Sequence, residues 1–268
     1  MGAARRAERA EAVNGGTAAR STPVIDFTRQ ALRRVRRAAA GRLARAITHV
    51  STTEPVAALT FDDGPDPVHT SRLLDLLEKY RVRATFFMIG QAALKHPDIV
   101  RRVADGGHSI GNHTWSHRSF PSISTHERCA EIRACERALA PYSLRLFRPP
   151  YGDQSVGSWL DATRLRYAVV TWNATGHDWH GRDAAWIVEQ VMSRFRPGSI
   201  IGLHDGLFDA SSEDCLDRGP TLSAVEILLA RLGGAFRFVT VPELLRHGRP
   251  VRAAWLQDGT SGRRDGPE

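Results

Sequence analysis

Cysteine is scarce: three among 268 residues, Cys129, Cys135 and Cys215. No two of them form a CxxC pair, which excludes a zinc knuckle. Cys129 and Cys135 are six apart on a predicted helix and fall on different faces. A disulfide framework is therefore not expected, and reduced thiols fit an intracellular setting. Long apolar runs are also missing. None approaches membrane-spanning length, and no apolar core of a signal peptide follows the early arginines. The expected location is the cytoplasm or the periphery of the inner membrane face, with export by an atypical route as the alternative. Lysine is absent from residues 1–50, where eleven arginines face only Glu8, Glu11 and Asp26. That stretch by itself accounts for the net charge of +8, and residues 51–268 balance 26 basic against 26 acidic side chains. The basic pI thus describes one end of the chain. With no nucleic-acid motif in 51–268, a nucleic-acid partner is not expected.

Residues 1–24 are rich in Ala, Arg, Gly, Ser and Thr without an apolar period, and read as a disordered tail. Residues 25–50 read as a basic amphipathic helix, with Leu32, Val35, Ala39, Leu43, Ile47 and Val50 stepping by three or four between arginines. Its apolar stripe either packs on the following domain or lies on anionic lipid. Residues 51–250 form the expected catalytic domain, and 251–268 a second disordered tail.

From residue 55 onward strand and helix patterns alternate. Predicted strands are Val56–Phe61, Ala84–Ile89, His108–Gly111, Arg145–Phe147, Tyr167–Trp172, Ser199–Leu203 and Phe236–Val239. Predicted helices cover 70–80, 91–105, 124–140, 155–163, 183–195, 220–232 and 242–247. Ser124 with Glu127 makes a capping box at one helix start. Such alternation argues for a parallel α/β architecture, in which ligands bind at the C-terminal strand ends. Hydrophobic content of 42% supports an ordinary core, and the sequence shows no internal repeat.

Polar motifs sit at those ends. Asp62 and Asp63 follow the first strand and precede the Gly64-Pro65 turn. Alternation along a strand sends their side chains in different directions. Two adjacent carboxylates need a cation or a proton to relieve them. One on a metal with the other free as a base satisfies this, although a simple turn-forming Asp is the bland alternative. His113 and His117 follow the third strand and, if helical, share one face. With Asp63 they would make a two-His, one-carboxylate site that leaves positions open for water and substrate. Arg148, fixed by Pro149 and Pro150, can clamp Asp62. Asp178-Trp179 and His204-Asp205 follow the next strands, and a His beside an Asp suits a general acid whose pKa a partner sets.

Thr60–Pro65, His113–His117, Arg148–Gly152, Asp178-Trp179 and Leu203-His204 together resemble the five ordered motifs of the polysaccharide deacetylase family. This is the NodB-homology domain, carbohydrate esterase family 4, and the similarity covers roughly residues 54–247. It implies an α/β fold, a distorted (β/α) barrel of about seven parallel strands, here with a basic N-terminal helical extension. It also implies metal-dependent hydrolysis of N-acetyl groups, usually on N-acetylglucosamine in chitin oligomers or peptidoglycan. By motif, Asp63, His113 and His117 resemble the ligands of one divalent metal, with Zn2+ expected and Co2+ or others also suited. Asp62 resembles the general base, Arg148 the residue orienting it, His204 the general acid and Asp178 its partner. The Tyr151 N–H would help stabilise the oxyanion, with Pro150, Trp179, Gly202 and Leu203 around the substrate. The expected partner is an N-acetylated sugar bound by a monomer, with peripheral contact of the basic helix with anionic membrane.

Two positions depart from the pattern. Thr175 stands where the family often has an acidic residue, and Gly202 where it often has a leucine lining the acyl pocket. Unless a neighbour such as Trp179 or Phe208 fills the gap, Gly202 predicts a pocket open to acyl groups larger than acetyl. The competing readings are an amide hydrolase or deformylase acting on a non-polymeric or lipid-linked amide, and a binding protein with an inactive domain. The complete carboxylate and histidine set argues against the latter.

Overall fold

A computed structural model describes residues 44–208 and 216–255, and the structural statements below concern these residues. In chain order they form β1 (Arg45–Ser51), β2 (Val56–Asp62), α1 (His69–Lys79), β3 (Thr85–Met88), α2 (Gly90–Lys95), α3 (Pro97–Asp105), β4 (Ser109–Asn112), α4 (Thr125–Leu139), β5 (Ser143–Phe147), α5 (Val156–Arg164), β6 (Ala168–Val169), β7 (Ala174–Thr175), α6 (Ala184–Arg194), β8 (Ile200–His204), α7 (Gly219–Leu232), β9 (Arg237–Phe238), α8 (Val241–Leu244) and β10 (Arg249–Ala254). None of these helices is long and apolar enough to cross a membrane.

Seven strands run parallel in the order β6-β5-β4-β3-β2-β8-β7, and β9 pairs with the base of β2. The sheet curls into the half-barrel of the NodB-type fold. At its centre β2 is buried along its whole length, because neighbours flank it on both sides and both of its faces are covered. Leu59 and Phe61 face an outer apolar layer shared with Leu73, Leu77, Val225 and Leu228 of the surrounding helices. Ala58, Thr60 and Asp62 alternate to the inner face. Register places Thr60 beside Gly202 and Asp62 beside His204, so the two polar strand ends emerge together.

The single helix expected over 91–105 is two helices. Pro97 occupies the first turn of α3 and stops α2 at Lys95, since a proline disfavours helical geometry in the residue before it. Ser124 and Glu127 form the expected capping box of α4. The two-residue β7 was too short to leave a pattern, and the expected strand at 236–239 is the short β9.

The larger difference lies at the chain's two ends. The helix expected through Val50 falls outside the described residues up to residue 43, and its last part, Arg45–Ser51, is β1. The expected tail from 251 likewise begins inside β10. These two strands pair antiparallel and fill the open side of the half-barrel. Ile47 bridges to Val170 beyond β6, and His49 to Ser199 before β8. Gly198 makes the approach feasible: at φ +79°, a Cβ there would lie 1.9 Å from the Val50 carbonyl oxygen. Ile47 and Val50 join the inner core, and Ala46 and Trp255 a third cluster with Phe147 and Val169. Arg45–Val50 keeps a three-to-four apolar spacing and no strict alternation, since Ala46, Ile47 and Thr48 are buried in succession. Pairing partners overrode that spacing, as they do for β-branched segments. The catalytic domain expected at 51–250 therefore includes β1 and all of β10.

Candidate active site

The pair of carboxylates divides as expected. Asp62, the last residue of β2, keeps the strand's alternation and turns inward. Asp63 adopts φ 73°, a conformation rare for a residue other than glycine, and swings its carboxylate toward the loop after β4. There its Oδ1 lies 3.3 Å from His113 Nε2 and 3.2 Å from His117 Nε2. All three side chains are buried.

The two histidines do not converge through helical geometry. The 113–117 loop has positive φ at Thr114 (71°) and His117 (56°), and hydrogen bonds hold it in that shape. Asn112 Oδ1 accepts from the Thr114 N–H at 2.9 Å, and Thr114 Oγ1 from the His117 N–H at 3.0 Å. The buried Glu131 of α4 accepts from the N–H groups of Trp115 (3.0 Å) and Ser116 (2.8 Å) and from the Ser116 hydroxyl (2.7 Å). His113 Nδ1 donates to the Arg148 carbonyl at 2.7 Å, which fixes its tautomer and leaves Nε2 with a free lone pair.

Asp63 Oδ1 is buried without an aligned hydrogen-bond donor, an expensive state for a carboxylate oxygen. Burial opposes its charge, but His117, His113 and His204 hold Asp63 well below the usual carboxylate range. One oxygen and two imidazole nitrogens, all within 4.8 Å of one another, fit a divalent cation with open positions left over. The Phe208 N–H takes the other oxygen, Oδ2, at 3.2 Å.

Asp62 accepts from Arg148 Nη1 at 2.7 Å. The guanidinium is wholly buried and spends its remaining donors on Thr60 Oγ1 (2.8 Å) and the carbonyls of Val170 (3.2 Å) and Thr171 (2.9 Å). It also lies over the Phe87 ring at 4.1 Å. Burial lowers its pKa and the Asp62 charge works against that. Its side chain thus has no freedom to release Asp62.

His204 Nδ1 donates to Asp178 Oδ1 at 2.8 Å, and the His204 N–H to Oδ2 at 2.9 Å. The partner is Asp178 and not the adjacent Asp205, which turns back to accept from Thr70 at 2.5 Å. Burial opposes protonation of His204, yet Asp178, Asp63 and Asp62 push its pKa up to about 9. A cation on Asp63 offsets the share owed to that carboxylate. Asp178 is in turn kept below its ordinary range against burial, chiefly by His204 and Arg218. Sequence reasoning missed Arg218, a buried side chain whose Nη1 donates to the Asp178 carbonyl at 3.0 Å. It also missed Thr221, whose hydroxyl donates to Asp178 Oδ2 at 3.0 Å. Forty residues separate them from Asp178, and no local signal marks them. The same holds for Glu131.

Tyr151 sits at φ 58° in the turn with the buried Pro150, its ring 4.5 Å from that of His117. Trp179 stands edge-on to His204 at 5.3 Å. Leu203 points the other way, into the outer apolar layer. Gly202 does face inward, but the gap expected there is filled. A Cβ at 202 would meet Trp172 at 3.1 Å, so neither Trp179 nor Phe208 is the residue that occupies it.

A donor set that could hold a metal ion thus lies beside a clamped carboxylate and an Asp-paired histidine, an arrangement suited to metal-dependent hydrolysis. A sequence pattern described as polysaccharide deacetylase matches residues 49–170. A peptidoglycan-N-acetylglucosamine deacetylase of Bacillus cereus is 36% identical over 203 residues, 74% of this chain and 92% of the relative. A chitooligosaccharide deacetylase of Sinorhizobium fredii is 35% identical, over 70% of this chain and 90% of its own. The crystal structure of a peptidoglycan N-acetylglucosamine deacetylase superposes with a TM-score of 0.68 at 33% identity, covering 76% of this chain and 94% of that one. The chain belongs to the polysaccharide deacetylase family, a metal-dependent family of carbohydrate deacetylases.

Proposed function

We propose that the protein removes the acetyl group from N-acetylglucosamine units of a peptidoglycan- or chitooligosaccharide-type glycan, with Zn2+ held by Asp63, His113 and His117. The division of the adjacent carboxylates carries this reading: Asp63 lies on two imidazoles, while Asp62 lies on a buried guanidinium. The cation, when bound, supplies a charge sink for the carbonyl oxygen and eases deprotonation of the attacking water. Asp62, held by Arg148, takes the water's proton. The Tyr151 N–H is a donor for the developing oxyanion. His204, protonated beside Asp178, gives its proton to the departing nitrogen, so that the C–N bond breaks to acetate and a free amine and not back to the amide. Pro150 fixes the turn, and Trp179 and Tyr151 flank the sugar.

The reading needs no residue from a second copy, and a monomer is proposed, tested by the mass of the protein in solution. The arginines of residues 1–43 support a contact with anionic membrane at the inner face, tested by co-sedimentation of the full chain with anionic against neutral vesicles. The function is tested by acetate release from chitooligosaccharides and peptidoglycan, compared with non-carbohydrate amides. Acetate from the glycans is the expected result. Hydrolysis of simple amides with none on glycans would favour the amide-hydrolase reading instead.

A further inference from the structure

Trp255 follows β10, in the stretch expected to be a disordered tail, and nothing in the motifs points to it. It is nonetheless buried and tied on every side. Its Nε1 donates to the Gly152 carbonyl at 2.7 Å, its own carbonyl accepts from Gln154 Nε2 at 2.9 Å, and its N–H donates to the Ala44 carbonyl at 3.3 Å. Its ring stands edge-on to Trp172 at 5.4 Å. A Cβ at Gly152, where φ is +67°, would come within 3.2 Å of Trp255 Nε1 and 3.4 Å of Trp172. Two indoles therefore close over the turn at Gly152.

That turn carries Tyr151, and two successive left-handed residues, Tyr151 and Gly152, build it. The first is costly for a side-chain-bearing residue, by roughly 1–2 kcal/mol. Such a conformation persists only where the surroundings over-determine it. Its supports include Gly152 N–H to Pro149 O at 3.1 Å, Asp153 N–H to Pro150 O at 2.9 Å, the Ser119 hydroxyl to Asp153 Oδ2 at 2.7 Å, and the indole of Trp255. The first two are local and form in any such turn. The indole is the tie on the Gly152 carbonyl itself, from 103 residues away in sequence. We propose that Trp255 is a positioning residue for catalysis: by hydrogen-bonding the Gly152 carbonyl it holds the Tyr151 turn against His117, making β10 part of the active site. This rests on the deacetylase reading for its kinetic consequence, but not for its structural one.

Trp255→Phe keeps an aromatic ring in the cluster and deletes only the donor. In the full metal-loaded chain, kcat on a chitooligosaccharide should fall about ten- to a hundredfold, the scale expected of a small misplacement of a reacting group. KM and metal content should hold. Hydrogen exchange over residues 148–153 should rise. Trp159→Phe is the control: it removes another indole bond to the same closing strands, Nε1 to the Arg45 carbonyl at 3.2 Å, without touching the turn, and should leave kcat unchanged. Equal losses in the two variants, or unchanged exchange over 148–153 in Trp255→Phe, overturn the proposal. If Trp255→Phe does not fold, Gln154→Met, which frees the Trp255 carbonyl, must raise the same exchange, and failure to do so also overturns it. Acetate release by the wild-type chain tests the deacetylase reading separately, since the exchange measurement holds whether or not that reading does.

Discussion

The ends of β2, β4, β5 and β8 and the antiparallel pair β1–β10 serve one site in opposite ways. The strand ends carry the chemistry in short contiguous stretches: Asp62-Asp63, His113–His117, Arg148–Tyr151, His204. The pair carries no reacting group. It closes the half-barrel through Ile47 and Val50 and reaches the site through Trp255 with the Trp172 beside it, and through Ile47, whose carbonyl accepts from the Thr171 N–H at 2.8 Å behind Arg148. The first region is tuned by charge, with Asp62 set on the Arg148 guanidinium and Asp63 on two imidazoles. The second is tuned by shape, with glycines at 152, 198 and 202 admitting indoles or backbone that a Cβ would block. Charge roles at the strand ends require particular residue types in short stretches and so leave motifs. Shape roles accept many residues and leave none.

Substitutions at the strand ends should have the largest effect. His113→Ala or Asp63→Asn should lose the metal and with it all measurable activity, because the remaining ligands cannot complete the coordination shell. Metal analysis of the purified variants checks this, and full metal content in either would break the assignment. The closing pair can be broken by starting the chain at residue 52, which removes β1 and leaves β10 without its partner. That variant loses the burial of Ile47 and Val50, worth about 1.5–3 kcal/mol each, and should unfold at lower temperature or be insoluble. A stable, active product would show that β1 is dispensable and narrow the comparison to Trp255.

Asp62→Asn should keep the metal and fall ~10²–10⁴-fold in kcat. Metal loss equal to that of Asp63→Asn would mean that the two carboxylates have been exchanged. The pH dependence follows from His204. Its pKa is raised from 6.5 to about 9, so the protonated acid is present below that range and lost as pH rises through it. The associated stability runs the same way, complete below the unfolded value of 6.5 and gone above the folded one. Metal on Asp63 moves the limb somewhat lower, and Asp178→Asn moves it further toward neutrality. An unchanged alkaline limb in Asp178→Asn would remove His204 from the acid role. The smallest effect is expected at Gly202. With Trp172 against it, Gly202→Leu should destabilise by about 1–3 kcal/mol through overpacking, and not tighten selection for acetyl. Rates on N-acetyl, N-propionyl and N-butyryl oligomers, with a melting curve, separate the two. A narrowed acyl profile at unchanged melting temperature would restore the open-pocket expectation.

The sequence by itself determined the parallel α/β frame, the strand ends and the side chains proposed to react. Buried central strands are continuously apolar, turns need Gly and Pro, and a metal with an acid and a base needs His, Asp and Arg at short spacing. Only the tertiary structure decided the rest. The 45–51 stretch carries a helical apolar spacing, and its partners β10, Val170 and Ser199 made it a strand. Arg218, Thr221 and Glu131 acquired their roles from contacts that no local pattern encodes. The space at Gly202 was assigned to Trp172, thirty residues away, because packing fills a gap with whichever side chain reaches it.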